Sequence, residues 1–104
     1  MKQYRRCREK FRAAIFRLAV GEGDVRDRLR GAYRYLRMLS ELDVPPHLRK
    51  EWASILTSLT RHGAEVDSSG TVYRTSVGHT LSKIRNRSGR RIAERIFALT
   101  RKLS

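Results

Sequence analysis

The chain has 104 residues, a length that supports one domain with one compact core. It contains no run of eighteen apolar residues, so no transmembrane helix is predicted. Arginines interrupt the apolar stretch near the N-terminus, so this stretch is not expected to be a signal peptide. The single cysteine, Cys7, cannot form an internal disulfide, so a reducing, cytoplasmic location is expected.

The formal net charge of +14 is concentrated at the two ends of the chain. Residues 1–20 carry seven cations and one acid, residues 21–70 carry eight of each, and residues 71–104 carry nine cations and one acid. This distribution indicates a basic surface patch, with nucleic acid as the first expected partner and an acidic protein as the alternative. The competing interpretation is a chain rich in arginine whose side chains are simply solvated.

Apolar residues recur at steps of three and four along most of the chain, which predicts an all-α fold. We expect a compact antiparallel bundle of four to five helices in a single domain over residues 1–104, without β-sheet. The predicted helices span about 3–20, 24–42, 46–62, 72–86 and 89–103. Cys7 lies on the apolar stripe of the first helix, so its thiol is predicted to be buried and unreactive.

The second predicted helix combines an N-terminal cap with a row of arginines. Asp24 precedes the helix and can accept hydrogen bonds from the amides of its first turn. Four arginines flank the apolar stripe at spacings of three and four: Arg26, Arg30, Arg34 and Arg37. Together with Tyr33 and Tyr35 they suit either phosphate pairing and base stacking or an ordinary solvated face. The sequence does not decide between these two interpretations.

The third predicted helix follows Asp43-Val-Pro-Pro46, the clearest boundary in the chain. It holds the single tryptophan, Trp52, which is predicted to be buried at the centre of the bundle. Its opposite face carries Ser54, Thr57, Ser58 and Thr60. Small hydroxyl residues of this kind are typical of solvated or helix-packing positions rather than of catalysis.

The most basic stretch lies between the fourth and fifth predicted helices. A turn at Arg87-Ser-Gly89 would separate them, although the apolar register also permits one long helix kinked at Ser88-Gly89. If a helix begins there, Arg90 and Arg91 occupy its first turn, where free amides and the helix dipole favour an anion.

The predicted nucleic-acid contacts come from both chain ends. The C-terminal group is Arg74, Lys83, Arg85, Arg87, Arg90, Arg91 and Arg95, and the N-terminal group is Arg5, Arg6 and Arg8. A helix-turn-helix that reads base sequence is disfavoured, because 72–86 is long for a supporting helix and base readers are few. Sequence-tolerant contacts to phosphates fit better.

Motifs for catalysis, metals and cofactors are not found in the sequence. Its three histidines are isolated, and it contains neither a phosphate-binding loop nor a nucleophile motif. We therefore expect a non-catalytic nucleic-acid-binding protein or accessory subunit, without cofactor. The alternative is an adaptor that docks an acidic protein partner in a larger assembly. A membrane-surface role for residues 1–20 ranks third, and the small core leaves homodimerisation open.

Overall fold

The computed structural model describes residues 4–103, with the side chain of Tyr73 outside that description. Its five α-helices are α1 (Arg5–Val20), α2 (Val25–Leu36), α3 (Arg49–Thr60), α4 (Ser76–Lys83) and α5 (Asn86–Lys102). Two 3-10 turns, Glu41–Asp43 and Pro46–Leu48, connect α2 to α3. Two short strands, β1 (Glu65–Val66) and β2 (Val72–Arg74), connect α3 to α4. The predicted all-α helical bundle is confirmed.

Helix α2 is the centre of the bundle, because it contacts all four other α-helices. Its apolar stripe of Leu29, Ala32 and Leu36 is fully buried. Trp52 is buried as predicted, but its helix α3 contacts mainly α4 and α5. The expectation that the bundle packs around the Trp52 helix is therefore wrong. Small residues in the middle of α2 let neighbouring helices approach on more than one side.

Helix α2 begins at the capping residue that the sequence predicts. The Asp24 carboxylate accepts from the Arg26 amide at 2.9 Å and the Asp27 amide at 3.3 Å, and the Asp27 carboxylate accepts from the Asp24 amide. The Arg26 guanidinium also donates to Asp24, and this hydrogen bond holds the pKa of Asp24 below its usual value. Two carboxylates at the positive end of α2 thus fix where it starts.

Helix α2 ends at Leu36, six residues before the predicted end at 42. The Asp43 carboxylate accepts from the amide and the hydroxyl of Ser40, at 2.8 and 3.2 Å, and so closes a local turn. Such side-chain bonds to nearby backbone compete with helix continuation. Leu39 still reaches the core, at 5% exposure, because the chain turns back over the end of α2.

The predicted helix 72–86 is shorter than expected, since residues 72–74 form strand β2. Strands β1 and β2 pair antiparallel around a turn in which the Asp67 carboxylate accepts from Ser69 and Thr71 and Gly70 takes a φ of 85°. This short hairpin is an exception to the expectation of no β-sheet. Helix α4 begins after Thr75, whose hydroxyl accepts from the Gly78 amide at 3.2 Å.

Helices α4 and α5 are separate helices, as predicted, and do not form one kinked helix. The break between them lies at Ile84 and Arg85 rather than at Ser88-Gly89. Gly89 is buried inside the second turn of α5. A Cβ on Gly89 would lie 3.1 Å from Val25 Cγ1 and 3.4 Å from Leu29 Cδ1. Its glycine therefore serves the close packing of α5 on α2 and not a turn.

Cys7 is completely buried, as predicted. Burial, with a smaller effect of the Asp43 charge, raises the pKa of the thiol from 9.0 to about 11. Because the thiolate is the reactive form, only about one molecule in a thousand carries it at pH 8. We expect a thiol reagent such as DTNB to leave the folded protein unlabelled at pH 8 and to react fully in guanidinium. Rapid stoichiometric labelling of the folded protein would contradict this.

Candidate nucleic-acid interface

Two of the predicted N-terminal contact residues are engaged within the fold. Arg5 pairs with Glu9 on the exposed side of α1, with Nε and Oε1 3.0 Å apart. Arg6 donates to the Met38 carbonyl at 3.2 Å and lies 3.6 Å from the Asp43 carboxylate. Arg6 therefore joins the start of α1 to the segment after α2, and its charge is partly neutralised.

Two of the predicted C-terminal contact residues also hold the structure together. Arg74 forms an ion pair of 2.8 Å with Glu65 across the hairpin and donates to the Ser82 hydroxyl at 3.2 Å. Arg95 donates to the hydroxyls of Ser58 and Ser54, at 3.0 and 2.7 Å, and so links α5 to α3. The two serines on α3 therefore have a helix-packing role.

The remaining predicted C-terminal cations form an exposed group at the junction of α4 and α5. We call Lys83, Arg85, Arg87, Arg90 and Arg91 the junction cluster. Their side chains are exposed and make no ion pair with any residue between 4 and 103. Asp24 and Glu94 border the cluster at Arg90, but five cations against these two acids still create a positive potential that attracts an anion.

The first turn of α5 strengthens this potential. Arg85 takes the N-cap position without a capping hydrogen bond from its side chain, and the first turn holds no acid. The free amides of Asn86, Arg87 and Ser88 therefore face outward at the positive end of the dipole. The predicted anion position accordingly moves from Arg90 and Arg91, which lie further into the helix, to Arg85 and Arg87.

A second group of arginines lies along α2. Arg30, Arg34 and Arg37, here called the α2 row, are exposed and form no ion pair within residues 4–103. Together with Tyr33 they line a cleft of about 390 Å³, whose opposite wall is the start of α4, Thr75 to Val77. Cationic and hydroxyl side chains around one cleft are a suitable environment for phosphate oxygens.

Arg26 connects the α2 row to the junction cluster. Its guanidinium donates to the Ile84 carbonyl at 3.3 Å, which places the start of α2 beside the break between α4 and α5. Arg30 follows one turn later on the same face of α2. The α2 row and the junction cluster therefore form a continuous surface, which we call the basic band.

The predicted N-terminal contacts lie away from the junction cluster, although Arg6 contacts the Met38 carbonyl beside Arg37 of the α2 row. Leu18 near the end of α1 shares a cleft with Arg90 near the start of α5, whereas Arg8 and Arg12 share one with Thr100 and Leu103. Helices α1 and α5 are thus antiparallel. The seventeen residues of α5, about 25 Å long, separate the N-terminal group from the junction cluster. The N-terminal group therefore lies beside the end of α5 and not beside the junction cluster.

Neither metal binding nor membrane spanning has a structural basis in the described part of the chain. Residues 4–103 contain no group of three or more histidine, cysteine or acidic side chains placed to hold a metal ion. Among the same residues, no helix has the length and apolar character needed to cross a bilayer.

The α2 row is the part of the site that the sequence left undecided. Arg26 and Arg30 occupy equivalent positions on one helix face, but only Arg26 finds a carboxylate, at 2.9 Å from Asp24. The spacing of Arg30, Arg34 and Arg37 was the feature of the sequence that indicated a row of arginines on one face of the helix. The sequence pattern does not contain the position of α4, which forms the other wall of the cleft.

Comparison of the chain with protein-family models, with curated proteins and with solved structures gave no match.

Proposed function

We propose that this protein is a non-catalytic nucleic-acid-binding protein or accessory subunit that binds phosphates through the basic band. The observation that carries the proposal is the contrast between two kinds of arginine. Arg5, Arg26 and Arg74 each have a carboxylate partner, whereas the α2 row and the junction cluster have none among the described residues. Cations gathered without internal partners are available to an external polyanion.

The arrangement favours contacts to the sugar-phosphate backbone over base reading. The α2 row spans eight residues, about 10 Å along the helix, and continues onto the free amides at the start of α5. Phosphate contacts of this kind position a strand without reading its sequence. Tyr33 is half-buried at the edge of the cleft and offers one ring on which a base can stack.

Mapping by NMR tests which surface binds. Titration of a short labelled oligonucleotide into 15N-labelled protein should shift the amides of residues 85–91 and 30–37. The amides of residues 50–53 serve as the internal control, because Lys50, Trp52 and Ala53 line a cleft outside the basic band. Shifts concentrated at the start of α1, with residues 30–37 and 85–91 unchanged, would refute the proposed surface.

A further inference from the structure

A second surface of different character lies between the antiparallel helices α1 and α5. It is an open groove of about 390 Å³ with an apolar floor. The floor is built from Ile15, Leu18 and Ala19 of α1 and from Ala93, Phe97 and Ala98 of α5. Large apolar side chains here are left in water: Phe97 is 52% exposed, and Phe16 and Val20 on the adjoining part of α1 are 63% and 58% exposed.

An apolar area of this kind marks an interaction site, because soluble proteins rarely leave contiguous apolar surface uncovered. The groove differs from the cleft of the basic band, which is lined by three arginines and three hydroxyl residues, although Arg90 belongs to both surfaces. A nucleic acid gains little from a floor that, apart from Phe97, is aliphatic. An occupant of this groove would therefore belong to another chemical class.

The rim of the groove indicates the charge of that occupant. Arg90 and Arg101 lie on the rim at opposite ends of the α5 side, with Glu94 between them. The adjoining cleft towards the start of α1 adds Arg12. A partner that covers the apolar floor while meeting this rim is complementary if its own polar positions are acidic.

We propose that the groove binds an acidic amphipathic helix of a partner protein. Two antiparallel helices form a trough into which a third helix packs with apolar residues at steps of three and four. Arg90 and Arg101 are eleven residues apart, about 16 Å along α5, which matches about three turns of a bound helix. A second copy of this chain is a poor occupant, because its net charge of +14 would repel.

A synthetic peptide can test this proposal on the intact protein. The probe is a fluorescein-labelled helical peptide with leucines at positions i, i+3, i+4, i+7 and i+11 and glutamates on its other face. We expect anisotropy to report a Kd on the order of 10 µM at physiological salt. A peptide of the same composition in scrambled order, which cannot present an apolar face, should bind at least about tenfold more weakly.

Variants locate the peptide on the protein. Phe97→Ser and Ala98→Glu change exposed residues of the groove and should each weaken the leucine-glutamate peptide about tenfold or more. Leu42→Ser is the matched control, since Leu42 is 81% exposed in the turn after α2, and it should leave the affinity unchanged. Arg87→Glu with Arg91→Glu, which alters the basic band alone, should largely preserve peptide binding.

Four results would overturn the proposal. The first is equal binding of the scrambled peptide, and the second is unchanged affinity in both groove variants. The third is a concentration-dependent dimer in sedimentation that Phe97→Ser abolishes. The fourth is binding to anionic phospholipid vesicles that the same variant abolishes while peptide binding is absent. Peptide binding without oligonucleotide binding would support the proposed role of the groove and would refute only the proposed nucleic-acid function.

Discussion

Changing Arg87 and Arg91 together to glutamate should weaken oligonucleotide binding about 100-fold at physiological salt. The two side chains lie one turn apart on the exposed side of α5 and have no ion-pair partner within residues 4–103. Losing two charge-assisted contacts to phosphate at about 1.5 kcal/mol each gives this factor. Fluorescence anisotropy should also show the slope of log K against log salt reduced by about two.

The double variant Arg12→Glu with Lys50→Glu serves as the control, because it changes the net charge by the same amount as Arg87→Glu with Arg91→Glu. Both residues are exposed, and both line clefts outside the basic band. This variant should lose only the affinity expected from the lower net charge, and both double variants should keep the far-UV circular dichroism of the parent protein. An equal loss in the control would mean that total charge, and not the basic band, determines binding.

Leu29→Ala should lower the free energy of unfolding by about 2–5 kcal/mol, a large share of the stability of a domain this size. Leu29 is fully buried on α2, the helix that contacts all the others, and its Cδ1 faces the backbone of Gly89 on α5. The cavity would therefore lie where α2 and α5 meet. Urea denaturation followed by circular dichroism measures the loss.

Leu42→Ala provides the comparison for the same side chain in water. Leu42 is 81% exposed, so its removal should change the free energy of unfolding by no more than about 0.5 kcal/mol. Similar losses in the two variants would contradict the assignment of α2 as the central helix.

Local physics made much of the helical architecture predictable. The periodicity of apolar residues located α1, and the capping carboxylate of Asp24 located the start of α2. Burial of Cys7 followed from its position on an apolar stripe. These features depend on residues within a few positions of each other, which is the range over which a sequence pattern is informative.

Element ends were harder to predict, because competing local hydrogen bonds and contacts with distant helices decide them. The early end of α2 reflects the hydrogen bonds between Ser40 and Asp43, and the hairpin before α4 reflects a turn closed by Asp67. Ser88-Gly89 resembled a turn because glycine is common there. Its glycine is instead required by the close approach of Val25 on α2.

The candidate site was predictable in composition but not in arrangement. Nothing in the sequence distinguishes Arg95, whose partners Ser54 and Ser58 lie about forty residues earlier, from Arg91, which has none in the described chain. The charge count likewise placed the basic residues of both ends in one patch, whereas the antiparallel packing of α1 and α5 separates the N-terminal group from the junction cluster.

The most direct test of the central claim is the salt dependence of binding to labelled duplex DNA, single-stranded DNA and RNA, measured by fluorescence anisotropy. We expect micromolar or tighter binding of at least one of them near physiological salt. The slope of log K against log salt should be about −3 to −5, as expected for roughly five phosphate contacts. Absence of binding to all three even at low salt would contradict it, despite the net charge of +14.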